Sequence, residues 1–197
     1  MVHPLNVIRN RCTSMPSTVR QRLIVLLVVM AVLGCGILAA SIRGPSAPLP
    51  PGTAIPKLDL VDWRTGSTRA LGSASLPTVV ILMRSECSYC KEELTDIAAH
   101  FDALRSARYV LVTSETAPPA DYAERWPRLA SDSTVAWVRA PAAQLAAALH
   151  TQATPSIFIY DRGGHLRRSF RGLTGVEAIG RELASAASDS TLARLPH

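Results

Sequence analysis

Cys87-Ser88-Tyr89-Cys90 stands at a junction between two kinds of periodicity, and that junction constrains the fold most. Before it, Pro77–Arg84 (PTVVILMR) is a continuous apolar run, the pattern of a strand buried on both faces. After it, Leu94, Ile97, Ala98, Phe101 and Leu104 recur at the period of a helix spanning Cys90–Leu104. A cysteine at a helix N-terminus meets unpaired N–H groups and the positive end of the dipole, and both favour thiolate over thiol. Cys87 comes first and is expected to be the more exposed nucleophile. Cys90 shares the apolar stripe of Leu94, Ile97 and Phe101, so it is expected to be buried and to act second. Two intervening residues let the pair close a disulfide within one turn.

The rest of the chain alternates. Lys57–Asp62 (KLDLVD) and Arg69–Leu71 flank Thr65-Gly66-Ser67, a hairpin pattern. Arg108–Ser114 (RYVLVTS) is a second buried strand, Pro119–Trp126 a short helix and Thr134–Arg139 a further strand. Pro141 suits the first position of an Ala-rich helix ending near Leu149. Pro155–Asp161 and His165–Arg171 read as strands joined by Arg162-Gly163-Gly164. Thr174 and Glu177 form a capping-box pattern before a helix with Val176, Ile179 and Leu183 apolar. The expected fold class is α/β: a mixed central sheet flanked by helices, with an N-terminal hairpin extension.

The chain has 197 residues, 48% hydrophobic, four Cys and a net charge of +6. A disordered chain is poorer in apolar residues, and a disulfide framework is denser in cysteine. The location of the charge matters more than its sum. Residues 1–22 carry Arg9, Arg11, Arg20 and Arg22 and no acid. Residues 23–40 (LIVLLVVMAVLGCGILAA) contain no charge, and 18 residues at ~1.5 Å each nearly cross a ~30 Å hydrocarbon core. Residues 44–197 hold 16 basic and 15 acidic groups. Basic flanks stay on the cytoplasmic side. The expected organisation is a cytoplasmic tail (1–22), a transmembrane anchor in the lipid bilayer (23–40), a Pro-rich linker (41–56), an exported domain (57–187) and a C-terminal tail (188–197). Cleavage after Leu38-Ala39-Ala40 and lipidation of Cys35 in Val32-Leu33-Gly34-Cys35 are alternative fates of the span, and each exports the same domain. A near-neutral domain gives no footprint for nucleic acid. Cys12 and Cys35 read as ordinary small residues in reducing or lipid surroundings.

From residue 53 to residue 187 the chain resembles the thioredoxin superfamily, and most of all its membrane-anchored TlpA/ResA-type branch. CSYC after a buried strand and Ala153-Thr154-Pro155-Ser156 before the last hairpin carry the resemblance. It implies a thioredoxin-like fold and thiol–disulfide exchange, with Cys87 and Cys90 as the redox-active disulfide. It implies further that Pro155 is a cis-proline beside Cys87 and that the Thr154 backbone pairs with substrate. The residues alone give a tight turn of open isomer. The branch acts in cytochrome c maturation and related thiol reduction. The implied partners are therefore an exported protein with a disulfide, such as apocytochrome c or a copper-centre assembly protein, and a membrane thiol donor. No cofactor is implied.

Glu93 lies one helical turn after Cys90 and precedes Ile97 and Phe101 by four and eight residues. That places it at the border of the buried stripe, where a carboxylate has a raised pKa and can relay the proton of Cys90. The resembling reductases carry a Glu in this place. The chain departs from them in Met83-Arg84-Ser85-Glu86, where they have aromatic residues. Between the cysteines it also lacks the Pro common in those reductases and the His of strong oxidants, and the absence of the His favours a reductant. A zinc site needs two more ligands at motif spacing, yet His100, His150 and His165 are scattered, so no metal is expected. An oxidase or isomerase, and a redox-inactive binding module, stand as alternative functions. Trp63, Trp126 and Trp137 read as packing residues and Tyr89 as exposed.

Overall fold

In the computed structural model, residues 21–22, 25–31, 47–72, 75–116 and 121–192 are described. The chain divides into two units, residues 1–43 and 44–197. In the first, residues 25–31 are helical, and Val25–Met30 are all at least half exposed. No helix among the described residues is long and apolar enough to cross a membrane. Most of the expected 23–40 span, Cys12 and Cys35 lie outside the described residues.

The second unit is built on seven strands: β1 (Asp59–Asp62), β2 (Thr68–Ala70), β3 (Thr78–Leu82), β4 (Arg108–Thr113), β5 (Val135–Arg139), β6 (Ser156–Tyr160) and β7 (Leu166–Arg171). They form one sheet in the order β2-β1-β5-β4-β3-β6-β7. β3, β4 and β5 run parallel, while β6 lies antiparallel to β3 and β7 to β6. The expected N-terminal hairpin is formed by β1 and β2, and it joins the sheet through β5.

The unbroken apolar runs feed two cores, because successive side chains of a strand face opposite sides. Val79, Ile81, Tyr109, Leu111, Ile157 and Ile159 point to one. Val80, Leu82, Val110, Val112, Phe158 and Tyr160 point to the other. The first core is covered by α1 (Ser88–Ala99), α2 (Phe101–Leu104) and α6 (Val176–Leu192), through Leu94, Ile97, Phe101, Leu104, Ile179 and Leu183. The second is covered by α5 (Ala142–Leu149), through Leu145 and Leu149.

Five sequence expectations are corrected. The single helix to Leu104 is broken at His100, whose φ of −107° and ψ of 16° leave helical geometry. Its ring nitrogen lies 3.0 Å from the Asp96 carbonyl, and the apolar stripe continues in α2. α3 (Tyr122–Arg125) falls inside the expected short helix, but α4 (Pro127–Ser131) follows unforeseen, with Pro127 in its first turn. Pro141 caps α5 from outside instead of opening it. The tail expected from 188 begins later, because α6 continues to Leu192. The linker is the fifth. Gly52 N–H donates to the Leu166 carbonyl (2.7 Å), Ile55 N–H to Gly164 (2.6 Å) and Leu166 N–H to Thr53 (2.8 Å). Leu49 is buried in the second core, so residues 47–56 are docked on the domain instead of extending from it.

Candidate active site

The end of β3 delivers the chain into a turn in which Cys87 N–H donates to the Arg84 carbonyl (3.2 Å). Cys87 is then the N-cap of α1, with φ −84° and ψ 109°. Its Sγ accepts the Cys90 N–H at 3.1 Å, so sulfur takes the place an oxygen usually holds at a helix start. Cys87 is half-buried, whereas Cys90 is 1% exposed and packs in the first core. The two sulfurs are joined in a disulfide, with Cα atoms 5.2 Å apart. The expected order of exposure therefore holds.

Thr154-Pro155 meets this pair from the start of β6, the strand paired with β3, where Leu82 lies opposite Ser156. Its peptide bond is cis, and the Thr154 carbonyl oxygen lies 3.6 Å from Cys87 Sγ. Two bonds fix the turn: Gly172 N–H donates to the Pro155 carbonyl (2.9 Å), and Ser156 Oγ donates to the Ala153 carbonyl (2.8 Å). Residues 67 apart in sequence thus share one site because β3 and β6 are neighbours.

Glu93 is more enclosed than the border position predicted, at 1% exposed. Its Oε2 accepts the Thr174 N–H at 2.6 Å, and its Oε1 is buried without a partner. Burial pushes its pKa up from 4.5 to about 7; the Thr174 bond opposes this, and Asp96 and Glu92 add to the rise. This contact also replaces the expected capping box. Glu93 holds the Thr174 N–H that Glu177 was to hold, and the Thr174 hydroxyl donates to the Gly172 carbonyl (3.3 Å).

Sequence reasoning missed Glu115. It follows β4, is half-buried, and its carboxylate accepts the Ser85 N–H at 2.9 and 3.1 Å and the Ser85 hydroxyl. It thereby anchors the turn that carries Cys87. The only sequence signal was a lone acid two residues beyond a buried strand.

The remaining candidates take structural places. His100 and His150 cap the C-termini of α1 and α5, and His165 pairs with Asp161 at 3.6 Å. Trp63 and Trp126 stack on Trp137, with centroids 6.2 and 6.1 Å away. Tyr89 is 59% exposed.

No family model matches the sequence, and no curated protein does. Solved structures do. A thio-disulfide isomerase from Thermus thermophilus is 23% identical, with a TM-score of 0.54 over 70% of this chain and 97% of its own. A protein assigned as thiol:disulfide interchange protein DsbE, from Chlorobium tepidum, is 16% identical, with a TM-score of 0.55 over 70% and 98%. A peroxiredoxin-like protein from Aquifex aeolicus is 12% identical, with a TM-score of 0.54 over 71% and 89%. The domain therefore has the thioredoxin-like α/β fold, with a cysteine pair at the start of α1 facing a cis-proline turn.

Proposed function

We propose that the protein is a thiol–disulfide oxidoreductase that reduces disulfides of exported partner proteins. One observation carries this reading. Half-buried Cys87 caps α1 beside the Thr154 carbonyl, joined to a buried Cys90. In the reduced protein the Cys90 N–H and the helix N-terminus stabilise a Cys87 thiolate. That thiolate attacks one sulfur of the partner's disulfide, forming a mixed disulfide and releasing the partner's other sulfur as thiolate. Glu93, with a pKa of about 7, accepts the Cys90 proton directly or through water. The Cys90 thiolate then attacks Cys87 Sγ, restores the Cys87–Cys90 disulfide and releases the partner's second thiolate. Two electrons pass to the partner, and a membrane thiol donor returns them. Thr154 and Pro155 supply the backbone surface against which the partner lies.

The absence of His between the cysteines favours the reducing direction over the oxidase or isomerase reading. Apocytochrome c is one partner of suitable chemistry. Residues 23–40 would anchor the chain in the inner membrane, with the N-terminus cytoplasmic and the domain periplasmic. The charge asymmetry and the exposed apolar side chains of 25–30 support that placement.

A Cys90→Ser variant expressed as the full chain is expected to accumulate mixed disulfides through Cys87 with exported proteins, sensitive to reductant. A wild-type reduction potential at the strongly oxidising end, or failure of the reduced protein to reduce insulin, would overturn the reductant reading.

A further inference from the structure

A partner cysteine bonded to Cys87 Sγ must lie near the Thr154 carbonyl, 3.6 Å from that sulfur. Consecutive Cα atoms are about 3.8 Å apart, so the residues next to that cysteine cross whatever surrounds Thr154. Thr154 lines a groove of ≈ 440 Å³ at the C-terminal ends of β3 and β4. The groove's base is apolar and buried: Leu82, Met83, Leu145 and Ala146.

Arg84 is the one charged residue lining this groove. It is exposed and forms no ion pair among the described residues. Neither neighbouring acid pairs with it: the Glu115 carboxylate is bonded to Ser85, and exposed Glu86 does not line the groove. The first turn of α5 opens on the same groove with no acid in it, so the helix dipole adds to the same sign. A guanidinium on such a rim offers a planar fork of donors to a carboxylate.

We propose that Arg84 determines specificity, selecting partner segments with an acidic residue beside the reactive cysteine and an apolar side chain for the groove. The proposal rests on Cys87 being the nucleophile toward a partner's disulfide. The pair is solvent-exposed, so discrimination of about 1.5-fold to fivefold at low salt is expected, falling as salt is added.

The test uses reduced full-length protein carrying Cys12→Ser and Cys35→Ser, so that Cys87 and Cys90 are its only thiols, and three peptides that differ only in the residue next to a cysteine: Glu, Gln or Lys. Each cysteine carries a 2-thiopyridyl disulfide. Attack by Cys87 forms the Cys87–peptide disulfide, breaks the peptide–thiopyridyl bond and releases neutral 2-thiopyridone, which is followed by absorbance. The quantities compared are ratios between peptides, so any general change in Cys87 reactivity cancels. Wild type is expected to react fastest with the Glu peptide and slowest with the Lys peptide. Arg84→Gln is expected to flatten this order and Arg84→Glu to invert it. Equal rates for the three peptides with wild type, or an order unchanged in Arg84→Glu, would overturn the proposal alone. Absence of thiopyridone release from every peptide would instead overturn the nucleophile reading and the proposal with it.

Discussion

Glu93 shows what a single residue's surroundings add to its place in the sequence. Helical spacing from Ile97 and Phe101 already set it against the apolar stripe. Its hydrogen-bond partner was not legible, because Thr174 is 81 residues away and meets it only through tertiary packing. A prediction follows from the raised pKa of about 7 against 4.5. Below pH 4.5 both folded and unfolded chains hold the proton, so Glu93 is neutral to stability. Between the two values the unfolded chain releases it and the folded chain keeps it, so stability falls as pH rises. A shift of this size corresponds to about 3 kcal/mol by pH 8. Glu93→Gln removes that slope, so the thermal midpoint of the variant minus that of wild type is expected to grow between pH 4.5 and pH 7. A constant difference over that range would exclude a raised Glu93 pKa. Glu115 invites a separate test. Glu115→Ala frees the Ser85 turn, and alkylation of reduced Cys87 by iodoacetamide is expected to slow by threefold or more. Glu115→Gln should restore much of the rate, since an amide can accept from Ser85 N–H and donate to Ser85 Oγ.

At the scale of elements, the strands were the most legible, and the physical reason is burial on both faces. Runs such as VVIL and VLV leave no alternation to misread, and all five residues of β3 are buried. Helix ends were less legible, because their orphan groups found partners from elsewhere. Glu93 takes the Thr174 N–H before α6, and the Cys87 sulfur takes the Cys90 N–H at the start of α1. The second case predicts a difference between two substitutions. Serine is a strong N-cap and alanine is not. Under reducing conditions, Cys87→Ala is therefore expected to be less stable than Cys87→Ser by about 1 kcal/mol, read from urea unfolding. Equal midpoints would mean that a side-chain acceptor at the N-cap of α1 contributes nothing to the stability of the helix. The cysteine pair itself was fully legible, because an N-terminal position and an apolar stripe assign the two exposures without reference to any other element.

For the whole molecule, the partition of charge carried more than its total. Four arginines precede the apolar run, whereas residues 44–197 balance 16 basic against 15 acidic groups. What composition obscured was the boundary of the domain. Five Pro in Gly44–Pro56 suggest a stiff spacer. Yet Leu49 is 8% exposed, and Gly52 and Ile55 bond to the β6–β7 hairpin. Proline removes a donor only at its own position, so the residues between prolines remain free to pair. The docked segment should therefore count toward stability. Two truncated chains, one starting at residue 47 and one at residue 57, both lack the apolar run and differ only in this segment. Exposing the Leu49 site and the amide partners around Leu166 is expected to cost about 2 kcal/mol. For a domain of this size that is a drop of roughly 4–8 °C in thermal midpoint. The shorter chain should also show faster amide exchange at Leu166, whose N–H loses its bond to the Thr53 carbonyl. Identical midpoints with unchanged exchange would return the segment to the role of a spacer.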